Sequence, residues 1–245
     1  MNTLLSLHQW RDITATTGMP LYAILSGVSD ACPIREYYRH DGSHTPVGLY
    51  SATPYANWTE IMPVIVPLDE HSPFLKWVES TECKDWGWLA RSPYIFERIL
   101  AYLRGLVKVI LPEGKEVFFR YWDGVWFAEH LRYMGDDWRD VMPPFAFYLV
   151  NGEDFTVRIH TKGEVKTSPW WRVPQGLIDA MMQKDCTPRV NNALKTLQEL
   201  KPDIFTLCDE TLLAARLRRI FATSVSTPDL GKLLHHLESD IHLHQ

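Results

Sequence analysis

Two regimes of apolar patterning divide the chain. Up to about residue 160, apolar residues come in short runs closed by Pro, Gly or Ser, as buried strands do; beyond Pro174 they recur at three- and four-residue intervals, as on helices. Leu21-Tyr22-Ala23-Ile24-Leu25-Ser26-Gly27 reads as the strand that founds a sheet, and residues 61–68 as a second buried strand, with Pro63 and Pro67 marking an edge or bulge. Ser72-Pro73 and Ser92-Pro93 each pair an N-cap residue with proline at the first helical position. The first opens a short helix with Phe74, Trp77 and Val78 on one face. The second opens a longer one whose stripe of Ile95, Ile99 and Leu103 stops near Gly105. Residues 86–90 between them predict a third strand.

Two hairpins follow. Residues 107–111 and 116–121 flank the turn Pro112-Glu113-Gly114-Lys115. Asn151-Gly152, between the run 145–150 and the alternating Phe155, Val157 and Ile159, is a type I′ signal, and Lys162-Gly163 offers a further turn. The helical part carries Leu177 and Met181, then Val190, Leu194 and Leu197, then Leu213, Leu217 and Ile220. A last helix would hold Leu230, Leu234 and Ile241, with Thr227 as N-cap before Pro228. The expected fold class is α+β: a lobe over residues 1–169 with a mixed β-sheet flanked by helices, and an all-helical lobe over 170–245.

Composition narrows the function. With 245 residues, 46% of them hydrophobic, the chain can bury a substantial core in one or two domains. Its 25 Lys and Arg against 30 Asp and Glu give a net charge of −5, which disfavours nucleic acid or an anionic membrane as a general partner. No apolar stretch approaches the ~20 residues of a spanning helix. The N-terminus lacks the basic and apolar regions of a secretion signal, so the expected location is the cytoplasm. Cys32, Cys83, Cys186 and Cys208 are scattered without a C-x-x-C, as reduced thiols are, and Asn57-Trp58-Thr59 matches the glycosylation sequon by chance.

Common catalytic signatures are missing: there is no G-x-S-x-G, phosphate loop, G-x-G-x-x-G or H-E-x-x-H. Asp69-Glu70-His71, at the end of a predicted strand, is the best acid–base candidate, because ligand sites in open α/β sheets gather at carboxyl ends of strands. With Asp123 it suggests one function class, a metal-dependent hydrolase centred on Asp69, His71 and Asp123. The plainer readings are a solvated strand-to-helix loop and, for Asp123, a helix N-cap. Arg120, four residues after Glu116, reads as a structural partner. His235, His236, His242 and His244, near the C-terminus without Cys or acidic ligands at metal spacing, read as inert.

Other residues suggest binding. Arg216, Arg218 and Arg219 form a basic patch opposite Leu213, Leu217 and Ile220, suited to an acidic protein partner. Ten tryptophans are either core or anchors; Trp77, Trp86, Trp88 and Trp122 are expected in the core, and Trp170 and Trp171 are the anchor candidates. Exposed tryptophans would also suit a carbohydrate-binding module, which the cytosolic, disulfide-free profile argues against.

A series of motifs carries a resemblance. Residues 21–27, Met62-Pro63-Val64-Ile65-Val66-Pro67-Leu68-Asp69 and Pro73-Phe74-Leu75-Lys76-Trp77 are followed by Trp86-Gly87-Trp88, Arg91-Ser92 and Leu103-Arg104. Then come Leu111-Pro112-Glu113-Gly114-Lys115-Glu116-Val117 and Phe118-Phe119-Arg120-Tyr121-Trp122-Asp123. In this order, over about residues 19–145, they resemble the effector adaptor chaperones of the bacterial type VI secretion system. Those proteins often have Pro after the final Asp, where this chain has Gly124. The resemblance implies a non-enzymatic cytosolic adaptor without cofactor or metal. Such an adaptor binds a toxic effector protein and loads it onto the valine–glycine-repeat spike protein, with the variable helical lobe reading the effector. On that reading the partner-binding residues are Trp170, Trp171, Arg216 and Arg219, at an inter-lobe surface.

Overall fold

A computed structural model describes residues 4–159, 164–185, 187–200 and 210–223. The chain forms two compact units, Met1–Pro174 and Gln175–Gln245. The first is built on a six-stranded sheet: β1 (Leu21–Leu25), β2 (Val47–Gly48), β3 (Val64–Leu68), β4 (Gly87–Arg91), β7 (Phe147–Val150) and β8 (Glu153–Thr156), in the order β2-β3-β1-β4-β7-β8. A separate hairpin pairs β5 (Lys108–Ile110) with β6 (Glu116–Phe118). This is the expected α+β class, with sheets flanked by helices. Among the described residues every ladder is antiparallel, and one isolated parallel bridge joins Ile110 to Arg172.

β1 lies between β3 and β4, and all five of its residues are buried, which is why its sequence is a continuous apolar run rather than an alternation. Side chains still alternate across it. Leu21, Ala23 and Leu25 join Trp10, Tyr37 and Phe74 in one core, from helices α1 (Leu7–Ala15), α2 (Pro33–His40) and α3 (Phe74–Ser80). On the opposite face Tyr22 stacks on Phe96 of α4 (Phe96–Arg104), and Trp88 stacks on Phe127 of α5 (Gly124–Met134), with ring centroids 4.4 Å apart. A short helix, α6 (Trp138–Val141), places Trp138 against Phe127.

The local signals act as their chemistry requires. Asn151 and Gly152 both take positive φ, 53° and 82°, the type I′ geometry that brings Val150 opposite Glu153. The Ser72 and Ser92 hydroxyls accept from the amides of Phe74 and Tyr94, although the helices start at Phe74 and Phe96, one and three residues beyond the prolines. Asp123 caps α5, its Oδ1 accepting from the Val125 amide at 3.0 Å. The glycine after it has a packing cause: a Cβ on Gly124 would sit 2.7 Å from the carbonyl oxygens of both Lys84 and Gly87.

The second unit is helical in all its described residues except Asp185: α7 (Gln175–Lys184), α8 (Thr187–Leu200) and α9 (Glu210–Thr223). Leu213, Leu217 and Phe221 of α9 bury against Val190 and Leu197 of α8. The Lys162-Gly163 turn, Cys186, Cys208, Pro202, the predicted last helix and the four C-terminal histidines lie outside the described residues.

Candidate functional site

The residues proposed for acid–base or metal chemistry are each engaged locally. Asp69, at the end of β3, has a side chain 72% exposed, 3.4 Å from His44 Nε2. The Glu70 carboxylate turns the other way and takes both Arg91 Nη atoms, at 2.5 and 2.8 Å. Those bonds hold its carboxyl below the usual carboxylate range, against the opposing effect of partial burial, which suits a fixed anion rather than a proton donor. His71 lies beside Arg11. Asp123 caps α5 and accepts from Arg120 Nη2 at 2.8 Å; burial raises its pKa, opposed by Arg120 and by backbone amides. Arg120 thus pairs with Asp123, while Glu116 faces Lys108 at 3.7 Å. Among the described residues, no three His, Cys, Asp or Glu side chains gather as a metal site, so Asp69, His71 and Asp123 are not brought together.

Arg91 is fully buried at the end of β4. Besides Glu70, its Nε donates to Thr14 Oγ1 at 2.7 Å and its Nη1 to the Met19 carbonyl at 2.9 Å. One guanidinium therefore ties α1, the entry to β1 and the exit of β3 to β4. His130 is a second buried polar group, surrounded by Phe119, Trp138 and Trp171. Its Nδ1–H donates to the Trp126 carbonyl at 2.8 Å, which fixes the neutral tautomer, and burial lowers its pKa to about 4.

The tryptophan pair separates by side. In an extended segment neighbouring side chains point oppositely. Trp171 is 7% exposed and packs on Phe119 and Trp138, at 5.4 and 5.7 Å between centroids. Trp170 is half-buried, with Lys166 Nζ 4.1 Å above its ring. Both belong to a strap, residues 164–173, tied to β5 at several points. Ser168 Oγ accepts from the Lys108 amide at 2.8 Å, Ile110 N–H donates to the Trp171 carbonyl at 2.9 Å, and Val173 N–H to the Ile110 carbonyl at 2.8 Å. Beneath the strap, a Cβ on Gly105 would come within 2.4 Å of the Lys166 carbonyl oxygen, so glycine at the end of α4 is required by close approach. Its φ of −63° makes no such demand.

Two grooves border this strap. One, of about 260 Å³, is lined by Tyr102, Arg139, Glu164, Lys166 and Trp170 among others. The other, of about 370 Å³, runs between the loop 52–55, the end of α4, β5 and the strap. Beside it lies an aromatic patch absent from the sequence reading: Tyr55, Trp58 and Phe118 have centroids 4.8 to 5.2 Å apart, and Trp58 is 43% exposed. Lys108 Nζ stands 5.4 Å from the Tyr55 ring. In the second unit, Arg218 and Arg219 are exposed on α9 and Arg216 is half-buried. The missed residues, Arg104, Lys108, Lys166 and the aromatic patch, come from four chain segments with no shared spacing. Gly105 was their one sequence signal, and it reads equally well as a helix end.

Fold and surface together define an α+β protein whose antiparallel core carries a tethered strap and flanking grooves. Residues 21–140 match the family described as a domain of unknown function, DUF4123, so the chain contains a DUF4123 domain. That stretch includes Arg91, Arg104, Lys108 and the aromatic patch; the strap lies beyond it. No curated protein and no solved structure matches the chain. Among the described residues no helix is long and apolar enough to cross a membrane.

Proposed function

We propose that this protein is a non-enzymatic adaptor that binds a type VI secretion effector and loads it onto the valine–glycine-repeat spike protein. The observation that carries the reading is the surface around the strap. Half-exposed aromatic rings and cations sit on a scaffold pinned by Arg91, Ser168 and Trp171, an arrangement suited to holding a protein segment. The match to the DUF4123 family over residues 21–140 spans all the motifs that carry the adaptor resemblance, which is compatible with that reading. The cytoplasm is the compartment in which such loading would occur.

The test is a tagged pull-down from cells carrying the native gene cluster, with bound proteins identified by mass spectrometry. The expected result is recovery of a spike protein and one toxin-like partner, with toxin levels falling on deletion of this gene. Recovery of neither, from cells that express both, would overturn the adaptor reading.

A further inference from the structure

We infer that the groove between the loop 52–55, the end of α4, β5 and the strap receives an extended, acidic segment of a protein partner, with an apolar side chain seated between carboxylates. This deepens the adaptor reading and rests on it for the partner's identity, while the chemistry of the segment comes from the groove itself.

The charge balance is the first argument. Arg104, Lys108 and Lys166 line the groove against a single lining carboxylate, Glu116, on a chain whose net charge is −5. Lys108 already faces Glu116 at 3.7 Å, which leaves the surplus on Arg104 and Lys166. A local excess of cations on an acidic protein attracts a carboxylate-bearing ligand and repels a basic one.

Unfilled donors are the second. Arg104 Nη2 donates to Ser51 Oγ at 3.1 Å, but its Nε is buried without an acceptor. Across the strap, in the smaller groove, Arg139 Nε is buried and unpartnered in the same way. Among the described residues the Arg104 terminal nitrogens meet only a neutral hydroxyl, and a guanidinium is shaped to take a carboxylate through two parallel bonds. Lys166 is exposed on the strap, where its ammonium rests over the Trp170 ring rather than in an ion pair with any described residue.

The third is size and lining. About 370 Å³ is near the small end of ligand sites and admits a few side chains, not a helix 10–12 Å across. Pro54, Tyr55, Val107 and Pro169 give it an apolar floor and rim, which an aliphatic side chain fits.

The experiment uses the purified full chain and two fluorescein-labelled octapeptides, each with a central Leu-Leu, flanked by Glu in one and by Lys in the other, read by fluorescence anisotropy. The Glu peptide is expected to bind saturably, at least tenfold tighter than the Lys peptide. Arg104→Glu and, separately, Lys166→Glu should each weaken it at least tenfold, whereas Lys76→Glu, on α3, should change it less than twofold. Lys166 is solvent-exposed, so its variant keeps the test decisive if Arg104→Glu alters folding. Absence of saturable binding, equal binding of the two peptides, or equal loss in Lys76→Glu overturns the inference. So does a dimer, seen by sedimentation, that Lys166→Glu dissociates, because the groove then belongs to a second copy. These outcomes are independent of the pull-down: the groove can fail while effector and spike are still recovered, and the converse.

Discussion

Both carboxylate oxygens of Glu70 are bonded to the fully buried guanidinium of Arg91, 2.5 and 2.8 Å away. The pair joins the loop after β3 to the end of β4, two strands separated in the sheet by β1. Its energetic meaning lies on the Arg91 side: the cation cannot be hydrated where it stands, whereas the Glu70 side chain is 43% exposed. Glu70→Gln should therefore destabilise the fold by about 2–3 kcal/mol, below the full cost of stranding a buried charge, since water reaches the pair from one side. Urea denaturation checks this, and a loss under 0.5 kcal/mol, roughly the surface-pair value, would contradict it. The pKa of Glu70 is lowered, so its stabilisation is present above the usual carboxylate range and lost as pH falls through the folded value.

His130 acts in a higher pH window. Its pKa falls from 6.5 to about 4 in the folded protein, so between those values the unfolded chain takes up a proton that the native site refuses. Its contribution is complete above pH 6.5 and declines as pH drops toward 4, by a ceiling of about 3 kcal/mol. In His130→Gln, stability measured by denaturation at pH 7, 6 and 5 should decline less steeply than in the wild type. An unchanged slope would place the titration elsewhere.

The two tryptophans should separate in mutagenesis. Trp171→Ala opens a void against Phe119 and Trp138 and should cost about 3–5 kcal/mol, while Trp170→Ala should cost under about 1 kcal/mol. Effector pull-down with Trp170→Ala then reads binding without the confounding effect of unfolding. If that variant folds normally and binds as wild type, Trp170 is not an anchor.

Gly105→Ala should disturb the strap, since the added methyl meets the Lys166 carbonyl. A cost of about 1–3 kcal/mol is expected from overpacking. The more specific sign is faster hydrogen exchange at the Lys108 amide, which now donates to Ser168 Oγ. Unchanged protection there would mean that the strap accommodates the methyl without losing its tether.

Much of the architecture was legible from local chemistry. The strand at residues 21–25, the hairpin at Asn151-Gly152 and the Asp123 cap are dictated by neighbours within a few positions: an apolar run, two residues tolerant of positive φ, a carboxylate facing free amides. The α+β class and the helical pattern beyond Pro174 follow from periodicity alone. The three residues of the acid–base and metal candidate are kept apart by topology. Asp69 and His71 follow β3 in the six-stranded sheet, whereas Asp123 follows the separate β5–β6 hairpin and caps α5, and which strand ends become neighbours is set by the packing of the two sheets and not by the strand-end rule.

What only the tertiary structure decided is which residues meet. Adjacent Trp170 and Trp171 are indistinguishable in sequence, and the strap's registration on β5 sends one to the core and the other to a groove. Likewise Arg91 finds Glu70, and Lys166 lies over Gly105, through contacts spanning 21 and about 60 positions. Local propensity and periodicity act over a few residues and so determine the elements themselves. Pairings across the fold depend on how those elements pack, which no pattern of spacing within the chain encodes.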